Sequence, residues 1–215
     1  NFLSLGGGEK VTAVLALPRG TVHGTGKARA VPSGKTPGFL VMVTRKGTVK
    51  RIPLSEFASV RRSGLIAIRL RSGDALDWVA QSQGGDHVML VTAKGQSIRC
   101  KETDIRPMGR PAAGVRAMRL RSGDAVIGVT LIPSDVKGVD AHVLVLTAHG
   151  FGKRTPLAAY KVQRRAGSGV RTARVTPKTG SVIGMALTPT RVGDNATVIV
   201  TSGRGQVIRV PLASI

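Results

Sequence analysis

Short apolar runs broken by glycine turns, with no long amphipathic stretch, organise this chain of 215 residues. Val41-Met42-Val43-Thr44 is a β-branched apolar run, and Lys46-Gly47 supplies a tight turn in which only glycine takes a positive φ at little cost. Thr48-Val49-Lys50-Arg51-Ile52-Pro53-Leu54 then alternates apolar and basic residues, the two-residue period of a half-buried strand. Pro53 and its counterparts Pro156 and Pro211 end that strand or mark a sheet edge. Gly73-Asp74, Gly123-Asp124 and Gly193-Asp194 signal further turns. Helix is predicted only as single short turns at Leu54–Phe57, Thr103–Arg106 and Leu157–Tyr160.

The pattern repeats. VMVTRKGTVKRIPL at 41–54 returns as MLVTAKGQSIRC at 89–100, LVLTAHGFGKRTPL at 144–157 and, shifted by one residue, IVTSGRGQVIRVPL at 199–212. The shared glycine falls at Gly47, Gly95, Gly150 and Gly205. A second landmark follows each: SGLIAIRLRSGDAL at 63–76, AGVRAMRLRSGDAV at 113–126 and SGVRTARVTPKTGSV at 168–182. LSLGGGEKVTAVLAL at 3–17 resembles this second half alone, and the C-terminus is a first half alone. Repeats of about 40–50 residues with four strands each are the mark of propeller blades. The fold expected is therefore all-β and β-propeller-like, one domain over 1–215. It divides into a half blade at 1–18, an exposed Gly/Pro/Lys-rich loop at 19–38, blades at 39–86, 87–141 and 142–196, and a half blade at 197–215.

Composition narrows the chemistry. Against 33 Lys+Arg stand 11 Asp+Glu, a formal net charge of +22, yet 41% of residues are hydrophobic and mean hydropathy is +0.08. That apolar content separates the chain from a basic disordered tail. A one-signed excess of this size points to nucleic acid first and an anionic membrane surface second. Cys100 is the single cysteine, which excludes an internal disulfide and a multi-cysteine zinc site and fits a reducing cytoplasm. His23, His87, His142 and His149 lack ligand spacing, so no metal site is expected. No apolar run has the length of a membrane helix, and Gly6-Gly7-Gly8 lacks the lysine ending of a P-loop. No nucleophile–base pair stands out, so no catalysis by this chain alone is expected. The chain does not start with Met, and a fragment is expected.

The placement of the bases sharpens the prediction. Acids fall in turns, as at Asp74, Asp124 and Asp194, whereas bases fall in the alternating strands and the loops after them. The candidate phosphate contacts are Lys50, Arg51, Arg61 and Arg62; Arg99, Lys101, Arg106 and Arg110; Lys153, Arg154, Arg164, Arg165 and Arg171; and Arg204 and Arg209. Singly, such residues serve as solubilising edge charges. As a set recurring at one phase of each repeat they form a curved basic band, suited to bending a duplex. Aromatics make up 3% of the chain, too few for a single-strand stacking platform. Phe57 and Tyr160, in LSEF and LAAY, are expected to fill the core.

DIRPMGRPAAGVRAM at 104–118, HGFGKRTPLAAY at 149–160 and KGTVKRIPLSEF at 46–57 resemble the C-terminal domain of the bacterial DNA gyrase A subunit. The resemblance implies a six-bladed β-pinwheel, of which about four repeat-equivalents are present, that wraps double-stranded DNA around a basic rim. It also implies that the wrap gives the chirality for ATP-driven negative supercoiling. The partners implied are the rest of the gyrase A subunit, together with the gyrase B subunit, in the bacterial cytoplasm. The cleavage tyrosine, ATP and magnesium sites would lie outside this chain, leaving no cofactor, small-molecule substrate or membrane partner. In such domains the first blade carries a heptapeptide box of Gln-Arg-Arg-Gly-Gly-Lys/Arg-Gly type. Gln163–Gly169 (QRRAGSG) departs from that pattern at Ala166 and Ser168 and reads as the equivalent inter-blade loop. Two alternatives stay open: the matching domain of the topoisomerase IV A subunit, and a protein-interaction propeller whose basic rim docks acidic partners.

Overall fold

A computed structural model describes Gly7, Val11, Val14, Leu15 and residues 38–59, 64–138, 140–190 and 196–215. The N-terminal half repeat, most of the 19–38 loop, Arg61, Arg62, Gly193 and Asp194 therefore lie largely or wholly outside the described residues.

Each repeat opens with a hairpin. Strands β1 (Phe39–Thr44) and β2 (Thr48–Pro53) pair antiparallel, with Val41 opposite Arg51. The linking turn is the same in all four copies: Gly47, Gly95, Gly150 and Gly205 have φ of 77°, 75°, 83° and 80°. The N–H of each glycine returns to the carbonyl three residues earlier, on Thr44, Thr92, Thr147 and Ser202. This is a three-residue hairpin loop with glycine in the left-handed position. Thr44 and Thr92 also accept the N–H of Thr48 and Gln96 through their hydroxyls. Past the hairpins, short 3-10 turns form at Leu54–Phe57, Glu102–Asp104, Leu157–Ala159 and Leu212–Ser214.

The chain then crosses between sheets. In the first repeat β3 (Leu76–Ser82) returns to pair with β1. The second repeat supplies β4 (His87–Thr92) and β5 (Gln96–Lys101), followed by β6 (Val115–Arg116) and β7 (Val126–Ile132). Here β7 pairs with its own β4, but β6 pairs with β2 of the preceding repeat. In the third repeat, β8 (Ala141–Thr147), β9 (Gly152–Pro156) and β11 (Val182–Pro189) form one sheet, while β10 (Val170–Arg171) pairs with β5. Strands β12 (Thr197–Thr201) and β13 (Val207–Pro211) make a last hairpin. The sheets run β3-β1-β2-β6, β10-β5-β4-β7, β11-β8-β9 and β12-β13. Each four-stranded blade thus takes its edge strand from the following repeat.

The blades stack face to face, and this changes the reading of the strands. On β4, Val88 and Leu90 pack with Val41, Val43 and Val49 of the first blade. Met89 and Val91 pack on the opposite side with Val143, Val145 and Leu157 of the third. Two-residue alternation therefore divides one apolar run between two cores. The half-buried pattern expected for β2 is corrected: all of Thr48–Ile52 is buried, as is Gln96–Cys100 in β5, because β2 lies between the second blade and the loop segments at Ala67–Ile68 and Ala112, and β5 lies between the first and third blades. Tyr160 is buried in the core between the second and third blades, and Phe57 packs at the margin of a separate cluster of Leu40, Met42, Ile52, Leu54 and Ile68. Cys100 lies in the core between the first two blades, where burial pushes its thiol up to about 12, so the thiolate is not formed at neutral pH.

Candidate nucleic-acid interface

The predicted bases separate by burial. Lys50 is 0%, Arg51 7% and Arg99 8% exposed. These three are withdrawn from the surface expected of them, since their strands are covered on both faces. Lys50 Nζ donates to the carbonyls of Ala67, Arg110 and Ala112 at 2.8, 2.5 and 2.8 Å. Burial shifts its ammonium below the usual lysine range, with nearby Glu56 opposing the shift. Arg51 is 3.5 Å from Glu102 and lies over the Phe39 ring. Arg99 donates to His87 Nδ1 at 2.9 Å, and burial followed by the charges of Arg99 and Lys101 holds His87 below its ordinary range, in the neutral form that can accept.

A second group is half-buried and partly committed. Arg154 donates to Thr188, Leu212 and Pro189. Arg165 donates to the carbonyls of Asp104 and Arg116, and Arg110 is 4.0 Å from Glu56. The third group is exposed: Lys101, Arg106, Lys153, Arg164, Arg171, Arg204 and Arg209. Lys153 holds the same place in its repeat as Lys50 but is exposed, because among the described residues no loop covers β9.

The structure adds bases that strand-centred reasoning passed over. Arg69, Arg119 and Arg174 sit at one position of the second landmark, and all three are exposed. Arg116, also passed over, matches the predicted Arg171, each exposed on a donated edge strand. Arg71 and Arg121 are exposed beside the Ser-Gly-Asp turns. The signal was present in the aligned strings IAIRLR, RAMRLR and RTARVT. Backbone bonds bring these residues onto the inter-blade loops: Arg69 N–H reaches Ala112 O and Arg119 N–H reaches Gly167 O. Arg164 lies in the latter loop, so Arg116, Arg119 and Arg164 cluster where two blades meet. A cleft of about 460 Å³ joins Lys153, Arg171 and Arg174 beside Phe151 and Thr179.

The acids leave this surface unneutralised. Asp74 and Asp124 are turn caps, accepting the N–H of Lys46 and Ala75 and of Lys94 and Ala125. Among the described residues, ion pairs form at Arg45–Asp77, Arg51–Glu102 and Arg110–Glu56 only. The repeated exposed arginines have no carboxylate partner there.

Residues 38–82, 86–133 and 141–189, more than half of the chain, match the family described as DNA gyrase C-terminal domain, beta-propeller. The chain belongs to this gyrase family. The DNA gyrase A subunit of Aminobacterium colombiense is 35% identical over 212 residues, 97% of this chain and 24% of that relative. Its Staphylococcus aureus counterpart is 39% identical over 177 residues, 82% of this chain and 19% of that relative. The chain thus spans a quarter or less of the curated relatives it matches. Among solved structures, the C-terminal domain of DNA topoisomerase IV aligns with a TM-score of 0.73 at 27% identity, over 83% of this chain and 54% of that one. The DNA gyrase A C-terminal domain aligns at 0.69 and 21% identity, over 84% and 57%, a likeness of fold. In this gyrase-family chain Gln163–Gly169 connects the third blade to the strand it donates to the second. Ala166 there takes φ 68°, the left-handed value that the box pattern fills with glycine.

Proposed function

We propose that this chain binds duplex DNA without reading its sequence and wraps it along the donated strands and inter-blade loops. It would do so as the non-catalytic C-terminal domain of a DNA gyrase A subunit, working with the remainder of that polypeptide and with the gyrase B subunit. The observation that carries the reading is the set Arg69, Arg119 and Arg174, exposed once per repeat with no carboxylate partner among the described residues. Phosphates lie every few ångströms along a duplex, so a curved row of fixed cations stabilises a bent path over a straight one. A fork of N–H donors suits phosphate better than a point charge does. The wrap would set the sign of the crossing passed to the catalytic core, where ATP and magnesium are handled by other parts of the enzyme. Exposed Lys101, Arg106, Lys153, Arg164, Arg204 and Arg209 extend the surface.

The equivalent domain of topoisomerase IV is a second reading, favoured by the higher TM-score of that structure. Nicked plasmid ligated in the presence of the chain tests the wrap. The expected result is a shift in linking number that disappears when Arg69, Arg116, Arg119, Arg171 and Arg174 are changed to Ala. An unshifted distribution with the unmodified chain at saturation would sink it. A strong, consistently signed shift fits the gyrase reading, and a weak one fits topoisomerase IV.

A further inference from the structure

Three buried or half-buried arginines hold one place in the repeat, four residues after the hairpin glycine: Arg51, Arg99 and Arg154. Strand alternation turns each toward the following blade. There each meets the residue that opens the next 3-10 turn. Arg51 Nη1 lies 3.5 Å from the Glu102 carboxylate, Arg99 Nη1 donates to Leu157 O at 3.5 Å, and Arg154 Nη1 donates to Leu212 O at 3.2 Å. Each guanidinium is also held by its own blade. Arg51 donates to Gly84 O at 3.4 Å, Arg99 to His87 Nδ1 at 2.9 Å and Arg154 to Pro189 O at 2.9 Å. Each guanidinium therefore spans two blades: Arg99 and Arg154 through both Nη atoms, Arg51 through Nη1 alone. At the first, the acceptor is a fully buried carboxylate that also takes the Ser82 hydroxyl and the Asp86 N–H.

At the first two junctions the other end is tied by backbone. Val126 N–H donates to Arg45 O at 2.9 Å and Val182 N–H to Ala93 O at 2.9 Å, both at the hairpin turns. Between turn and arginine the two faces meet through apolar contacts, which are non-directional. At the same two junctions the donated strands β6 and β10, with Met108 N–H to Arg51 O and Gln163 N–H to Arg99 O, tie the edges of β2 and β5 to the following repeat. The arginine side chain adds a directional tie across the stacked faces, where the edge bonds do not reach.

We propose that Arg51, Arg99 and Arg154 are positioning residues that set the angular step from blade to blade, and through it how far bound DNA bends. The joint itself stands on the geometry above, whereas its effect on DNA rests on the wrapping reading of the preceding section. Because the three forks are spent inside the molecule, changing them alters the curve of the cation row while leaving its charge in place.

The variant R51K/R99K tests this, since an ammonium keeps the charge but has no second nitrogen to join Leu157 to His87 and, on a shorter reach, draws back from Glu102 and Gly84. Spin labels at Ser55→Cys and Ala159→Cys, both exposed, report the distance from first to third blade, and buried Cys100 stays unlabelled. In the 215-residue chain without DNA, the expected result is a broader or displaced distance distribution with a cooperative melt retained. With DNA, duplex affinity stays within about twofold while the linking-number shift per bound chain falls by about half or more. An unchanged distance distribution overturns the joint. Affinity and linking-number shift falling together over an unchanged distribution overturn it in favour of direct phosphate contact. A broadened distribution, with no linking-number shift even in the unmodified chain, sinks wrapping and leaves the joint standing. Should R51K/R99K not fold, E102Q keeps a partner for Ser82, removes the charge facing Arg51 and gives the same distance readout at the first junction.

Discussion

Lys50 and Lys153 occupy one place in the repeat and meet opposite fates. The first is sealed under the loop that supplies Arg110 O and Ala112 O, and the second stands on an edge strand in solvent. Burying an ammonium costs several kcal/mol unless every proton finds an acceptor, and Lys50 finds three. Composition and phase cannot separate two such residues, because the difference lies in which loop returns over them. Glycine shows the same dependence on surroundings. Gly169 and Gly150 have φ of 72° and 83°, but a Cβ at Gly169 would fall 2.1 Å from Ser97 O, while at Gly150 nothing lies within 4 Å. Gly150→Ala should therefore cost about 1 kcal/mol of backbone strain. Gly169→Ala should cost about 3 kcal/mol or more, because the obstacle is backbone and cannot swing aside. Urea titration of both variants checks this, and equal costs would mean that β10 is not seated on β5 as described.

At the level of the element, strand content, turn positions and terminal prolines were all readable from the chain. Gly47, Gly95, Gly150 and Gly205 are left-handed as their spacing implies, and β2, β9 and β13 end on Pro53, Pro156 and Pro211. Partner choice was not readable. Val115–Arg116 and Val170–Arg171 are two residues each, and their pairing with the preceding repeat depends on a neighbouring edge being free to accept them. The exchange ties distant segments together through side chains as well. The Tyr160 hydroxyl, after the third hairpin, meets Thr172 Oγ1, just past the strand that the same repeat lends to the second blade. Both groups are buried, so removing either orphans the other. Tyr160→Phe and Thr172→Val should each cost about 1–3 kcal/mol, and the double variant distinctly less than their sum. Additive losses in thermal unfolding would show that the pair does not act as a unit.

For the whole molecule, the formal charge of +22 is a statement about partners only once its placement is known. Most acids of the described repeats are spent on turns or on Arg51, Arg45 and Arg110, which leaves the exposed arginines to act outward. If roughly 6–10 phosphates are neutralised, duplex affinity should fall with salt at a log–log slope near −5 to −9. Replacing Arg69, Arg119 and Arg174 by Ala should reduce that slope by about 3, equally for unrelated sequences. A slope that does not move would place the interface on another face. By itself the sequence determined the repeat, the all-β character, the hairpin turns and the sign of the charge, because these follow from local backbone preference and residue counts. Only the tertiary structure decided which bases face solvent. The second blade and returning loops bury the two faces of β2, and two blades enclose β5, turning Arg51 and Arg99 from a surface into a joint and leaving the outward role to arginines on the returning segments.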